Sequence, residues 1–307
     1  MDTMAALTFS IDAELVGGGT AAVTRQHRVK ESWQRIIDLF NHYSIPATWA
    51  VVSRLCPGLG DQSGKKYLPI IDLLDTLLES NTNHEIGSHS HNHLRYTELS
   101  RTEARSDLEM SQRTLREIDV TPKSFIYPYN SIAHRDLLAD YGFCCYRGET
   151  ESTNLATSTD SASGSVRRIL DIVPETIKAY AVKYWDRSTE LVAYIRGVEP
   201  PLVTPTLDSN GLVAFPASLA SIFRASSSML DSLRDVNIWP IRTAVKAGID
   251  RAIREDGRVH FWFHPHDLRT ERDFECLSDI LSIIAKHRAS GDLTVEPMSE
   301  VAATIHG

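Results

Sequence analysis

Short apolar runs recur along this 307-residue chain with amphipathic segments between them, and that alternation restricts the fold to a parallel sheet wrapped by helices. Residues 5–11, 47–52, 83–87, 124–127, 143–147, 212–216, 259–263 and 293–295 are rich in β-formers and read as buried strands. Between them, Trp33, Ile36, Ile37 and Phe40 recur at spacings of three and four, which predicts a helix over 31–42. The same argument predicts helices over 69–80, 98–119, 241–255 and 271–290, and one over 133–141 closed by Gly142. In the 98–119 helix, Ser100 or Thr102 is the cap, and Asp107, Glu109, Arg113 and Glu117 form a solvated face. Seven or eight such units predict an α/β protein, a distorted or incomplete (β/α) barrel with seven or eight strands. No internal repeat or linker divides the chain, so 1–307 reads as one domain with an irregular insertion at about 149–235. Within the insertion, the Ser/Thr/Asn-rich stretch 149–165 is a lid or surface slack, and 167–184 mixes a strand with a helix after Pro174.

The net charge of -8, with no stripe of lysine and arginine, argues against nucleic acid as a partner. No apolar run is long enough for a transmembrane segment. The first ten residues, MDTMAALTFS, lack the basic start of an export signal, which makes cytoplasmic location the expectation. The four cysteines form no C-x-x-C, so neither a disulfide framework nor a thiolate metal site is signalled.

The chemistry-bearing residues gather where predicted strands end. The first strand ends in Asp12-Ala13-Glu14, the third in His89-Ser90-His91-Asn92-His93, the fourth in Pro128-Tyr129-Asn130, and the strand over 259–263 in His264-Pro265-His266-Asp267. In parallel α/β folds these ends share one rim, where active sites lie. His89 and His93 are spaced i, i+4, so one helical turn would put both rings on one face. Imidazoles with one or two carboxylates make a three-ligand metal site with an open position. A remaining carboxylate and a remote histidine then serve as base and acid. His266 and Asp267 either orient His264 or cap the next helix.

On these residues the chain resembles the polysaccharide deacetylase family, carbohydrate esterase family 4, also called the NodB-homology fold. The run 89–93 matches its H-[ST]-x-x-H motif, and Asp12-Ala13-Glu14 matches the branch with D-x-D or D-x-E. The resemblance implies Asp12 as base, Glu14, His89 and His93 as metal ligands, and His264 as acid; the D-x-E spacing alone allows Asp12 and Glu14 to exchange roles. It implies one divalent metal ion, zinc first, with cobalt, nickel or iron as alternatives. The third motif, R-x-P-[YF], survives as Tyr127-Pro128-Tyr129 without its arginine, leaving the base without its usual orienting partner. Asp171 is the candidate for the fourth motif's aspartate. The backbone N–H of Tyr129 is the expected oxyanion donor, and Tyr127 and Trp262 are candidates for stacking on a sugar ring, with core packing the preferred role for Trp262. The implied activity is removal of an acetyl or formyl group from an amino sugar or from a nucleotide- or lipid-linked sugar precursor. Hydrolysis of small linear or cyclic amides, some without metal, and carbohydrate binding by a decayed site are the alternatives.

Overall fold

The computed structural model describes residues 4–15, 19–56, 68–150, 199–219, 221–223 and 234–307. The stretch 149–165 from Glu151 on, the mixed segment 167–184 and Asp171 lie outside the described residues.

The chain runs β1 (Ala6–Ala13), α1 (Gly19–His42), β2 (Thr48–Val51), α2 (Ile71–Leu78), β3 (Glu85–Ser88), α3 (Arg101–Arg116), β4 (Ser124–Ile126), α4 (Arg135–Asp140) and β5 (Cys145–Thr150). It continues with β6 (Thr206–Leu207), β7 (Val213–Ala217), α5 (Arg234–Glu255), β8 (Arg258–Phe263), α6 (Glu271–Ser290), β9 (Thr294–Val295) and α7 (Met298–His306). The strands form one sheet in the order β6-β7-β5-β4-β3-β2-β1-β8, with β9 added against the first residues of β1. Every pairing is parallel except β6 with β7. The sheet curls until its ends meet: Ser218 N–H donates to the His260 carbonyl at 2.9 Å, and Ile222 N–H to that of Trp262 at 3.0 Å. The result is the distorted (β/α) barrel that the strand-helix alternation predicts.

Side-chain alternation along β1 divides the interior. Leu7, Phe9, Ile11 and Ala13 pack outward under the helices with Trp33, Ile36, Ile37 and Phe40 of α1. Trp33 lies parallel to Trp49 of β2 at 6.2 Å, and Phe9 meets Phe40 edge-on at 5.3 Å. Each of these buried rings contributes roughly 1.5–3 kcal/mol. Thr8, Ser10 and Asp12 are on the other face of β1, and Ser10 and Asp12 bond to side chains of β5 or β8.

Three expectations need correction. Helix α1 starts at Gly19, well before residue 31, and α7 has no counterpart in the predicted elements. Helix α7 plugs the base of the barrel, where Met298, Val301 and Ala302 pack on Ala50, Ile126, Val213 and Phe215. Its periodic run is only nine residues long, too short to stand out without the barrel floor it covers. Asp107 is buried rather than solvated, because the end of α3 that follows the Ser100–Glu103 capping box lies beneath the histidine loop. Among the described residues, no helix is long and apolar enough to cross a membrane.

Candidate active site

Residues 12 and 14 lie two apart at the end of β1, so both carboxylates face the same way. The Asp12 side chain is 4% exposed and the Glu14 side chain 17%. Arg147, on β5 across the barrel, grips Asp12 with two parallel bonds, Nη1 to Oδ1 at 2.5 Å and Nη2 to Oδ2 at 2.8 Å. The same guanidinium donates to Asn130 Oδ1 at 3.1 Å and to Ser10 Oγ at 3.4 Å, and its carbon sits 4.1 Å above the Trp262 ring. Burial by itself would raise the Asp12 carboxyl, but the charges of Arg147 and then His89 outweigh it and hold the pKa below the ordinary value.

The histidine motif is not helical. Ser90 and His93 both adopt left-handed backbone, with φ of 64° and 55°. Short local bonds support that turn: Ser90 Oγ accepts from the His93 N–H at 2.9 Å, and Ser88 Oγ from the Ser90 N–H at 3.1 Å. Asp107 clamps it from below, accepting from the N–H groups of His91 and Asn92, the Asn92 amide and the Tyr96 hydroxyl, all at 2.9–3.1 Å. The expected meeting of His89 and His93 nevertheless holds, with ring centroids 4.9 Å apart. His91 turns away and bonds to Ser53 Oγ at 2.9 Å.

His89 donates from Nδ1 to the Ile126 carbonyl at 2.7 Å, which leaves the Nε2 lone pair toward the site. Burial drives its pKa down to about 4, so the neutral, ligating form prevails near pH 7. Glu14 Oε2 lies 2.5 Å from His93 Nε2. Burial would raise the Glu14 carboxyl, but bonding and attraction to His93 hold it far below the usual range. The ligand atoms of Glu14, His89 and His93 all fall within 4.8 Å of one another.

His264 enters from the end of β8. Its Nδ1 bonds to Asp267 Oδ2 at 2.8 Å, and its Nε2 lies 3.7 Å from Asp12 Oδ2 and 3.9 Å from Glu14 Oε1. Burial acts to lower its pKa, yet Asp267, Asp12 and Glu14 together push it up to about 9. Of the two roles open to Asp267, orienting His264 is present, and Ser221 Oγ anchors that carboxylate at 2.8 Å.

Tyr129 stands on the rim with φ of 59°, its exposed ring 4.7 Å from that of His93 and beneath the Arg95 guanidinium at 4.1 Å. Of the two stacking candidates, Tyr127 is corrected, and Trp262 takes the core position expected for it. Tyr127 is fully buried against Tyr96, Phe125 and Tyr146, because β4 turns it into the outer layer under α3 and α4. Trp262 is 5% exposed, bonded through Nε1 to the Leu219 carbonyl, and covered by Arg147. Arg147 itself escaped the sequence reading, although an arginine within the apolar run 143–147 signals a buried charge in need of a partner. It brings to Asp12 a guanidinium of the kind that the third motif lacks, from a different strand.

A family model described as polysaccharide deacetylase matches residues 4–143. No curated protein matches the chain. Among solved structures, a Mycobacterium smegmatis protein designated a polysaccharide deacetylase superposes with a TM-score of 0.62 at 13% identity, covering 99% of this chain and 91% of that one. A Pseudomonas aeruginosa PAO1 protein so designated gives 0.59 at 10% identity, with 98% and 90% covered. An allantoinase, Puue, also gives 0.59, at 12% identity and the same coverage. At these identities the likeness to the solved structures is one of fold.

Proposed function

From a chain whose residues 4–143 match the polysaccharide deacetylase family, on the distorted (β/α) barrel of its structural neighbours, we propose a metal-dependent hydrolase that removes an acetyl or formyl group from the nitrogen of an amino sugar, free or carried on a nucleotide or lipid. The observation that carries this reading is the convergence of Asp12, Glu14, His89, His93 and His264 from three strand ends onto one rim.

The donors fit a divalent cation. Two imidazoles and one carboxylate form the set found in open catalytic zinc sites. The Nδ1 bond of His89 supplies the outer support that such ligands have, and its neutral ring is in the ligating form. Bound there by Glu14, His89 and His93, a divalent ion would acidify a water and polarise the acyl oxygen.

The other steps belong to the chain. Asp12, kept ionised by Arg147, accepts a proton from the attacking water as its oxygen bonds to the acyl carbon. The backbone N–H of Tyr129 is assigned to the developing oxyanion. The carbon–nitrogen bond then breaks, and the amine departs with a proton from Nε2 of His264. That proton is available because His264 stays cationic up to about pH 9. An amide nitrogen is a poor anionic leaving group, so this donation matters to the rate by roughly 10²–10⁴-fold.

The test uses protein stripped by chelator and reloaded with zinc, cobalt or nickel. Release of acetate and formate is followed from N-acyl amino-sugar oligomers and nucleotide-linked N-acyl amino sugars, with His264→Ala as control. Metal-dependent release that drops about 10²-fold or more in the variant is expected. Failure of every metal form to release either acid from any amino sugar would overturn the reading.

A further inference from the structure

We propose that the active site holds a second divalent-cation position, made by Glu14, His264 and His266, and that a cation there arrests the enzyme by displacing the proton from Nε2 of His264, which is released to solvent. The inference rests on the hydrolase reading only for the role of His264.

The ligand atoms of these three residues lie within 4.8 Å of one another, separately from the Glu14, His89 and His93 group. The two groups use Glu14 from opposite sides. Oε2 turns to His93 at 2.5 Å, while Oε1 lies 3.9 Å from His264 Nε2 and 3.6 Å from His266 Nδ1. In tetrahedral zinc sites with nitrogen ligands at 2.0–2.1 Å, neighbouring donors are about 3.4 Å apart. The two Oε1 spacings are already near that value, and both are too long for hydrogen bonds.

The donors are prepared in the manner of metal ligands. His264 gives its Nδ1 to Asp267, the carboxylate–histidine arrangement that fixes a ring and points Nε2 at a metal. His266 Nδ1 is buried and makes no hydrogen bond, although Glu14 Oε1 stands 3.6 Å away. Such an orphaned buried nitrogen is costly unless something fills the gap between it and the carboxylate. The two imidazoles stack at 4.6 Å with planes 27° apart, so a cation shared by both requires one ring to tilt. Glu14 then serves as a bridge between two cations, as carboxylates do in two-metal sites.

The consequence is inhibition rather than added catalysis. His264 Nε2 cannot hold a proton for the leaving amine while it ligates a cation. The first equivalent of metal activates, and the second removes the acid and with it about 100-fold or more of the turnover.

Equilibrium dialysis of the full chain against cobalt or zinc, with the bound metal counted, tests the site without substrate. Wild type is expected to bind two equivalents, His266→Gln one and His93→Gln one, with circular dichroism checking that each variant is folded. The cobalt absorption spectrum of unaltered protein supplies a readout independent of any variant, since the second equivalent should add bands of its own. In turnover, the second equivalent should suppress wild type about 100-fold and His266→Gln less than about twofold. Uptake of a single equivalent that survives in His266→Gln and disappears in His93→Gln overturns the second site and leaves the hydrolase reading intact. Two bound equivalents with undiminished turnover overturn the inhibitory role. Two bound equivalents with no amide hydrolysis at any loading defeat the hydrolase reading while the site stands.

Discussion

Replacing Arg147 by methionine isolates what the guanidinium does for Asp12. Both side chains are nearly sealed from solvent, at 2% and 4% exposure, and share two direct bonds. Methionine keeps much of the volume over Trp262 and removes the charge. The Asp12 carboxylate is then stranded in a site where burial acts to raise its pKa, with only His89 and His264 left to oppose that. Breaking a buried ion pair from one side costs about 3–5 kcal/mol. For a protein of this size that is a drop in Tm of about 5–15 °C. The sign follows from the folded pKa lying below the ordinary 3.8: the stabilisation is complete above that value and is lost as pH falls through the folded one. The gap between wild type and variant should therefore be widest at pH 7, begin to narrow as pH falls through the raised Asp12 pKa of the variant, and narrow further below 3.8 as wild type loses its own stabilisation. The acid limb of the activity profile should move to higher pH, because the base now protonates more readily. Removing both charges, as Asp12→Asn with Arg147→Met, strands neither member of the pair and should recover most of the lost Tm, although without activity. Thermal melts at pH 7 and pH 4, with a pH–rate profile, carry the test. An Arg147→Met protein that melts with wild type and keeps its acid limb would refute the idea that this arginine poises the base.

Two further substitutions probe the supports of the histidines. In Asp267→Asn the largest influence raising His264 is gone, so the alkaline limb of activity should move to lower pH. Because that pKa is raised, its stabilisation is complete below 6.5 and lost as pH rises through about 9; wild-type stability should decline across that window and the variant's should be flatter by calorimetry. Asp107→Ala leaves two backbone N–H groups, the Asn92 amide and the Tyr96 hydroxyl without their acceptor. A stability loss of about 3 kcal/mol is expected by denaturant melts. Metal affinity should fall about 10–100-fold in chelator competition. Unchanged affinity would show that the histidine loop holds its shape without the clamp.

The line between sequence and tertiary structure falls where interactions stop being local. Strand identity came from short apolar runs rich in β-formers and helix identity from apolar spacings of three and four, so β1, β8 and α6 were legible in the chain, and α6 matches residues 271–290 at both ends. The D-x-E pair was legible too, since two residues along a strand always return to one face. The histidine pair was found by spacing, but its geometry was misjudged: two left-handed residues and the buried Asp107 make a turn where a helix was expected. The partner of Asp12 could not be found along the chain, because Arg147 is 135 residues away and reaches it only after five strands curl into a barrel. The pairing of β8 beside β1 brings His264 to within 3.7 Å of Asp12 and His266 toward Glu14, while α3 and α4 bury Tyr127 and Arg147 covers Trp262. The sequence by itself determined which strand ends bear the candidate acids and histidines. Sheet curvature and register decided which of them meet, because those depend on the packing of the whole barrel rather than on any one segment.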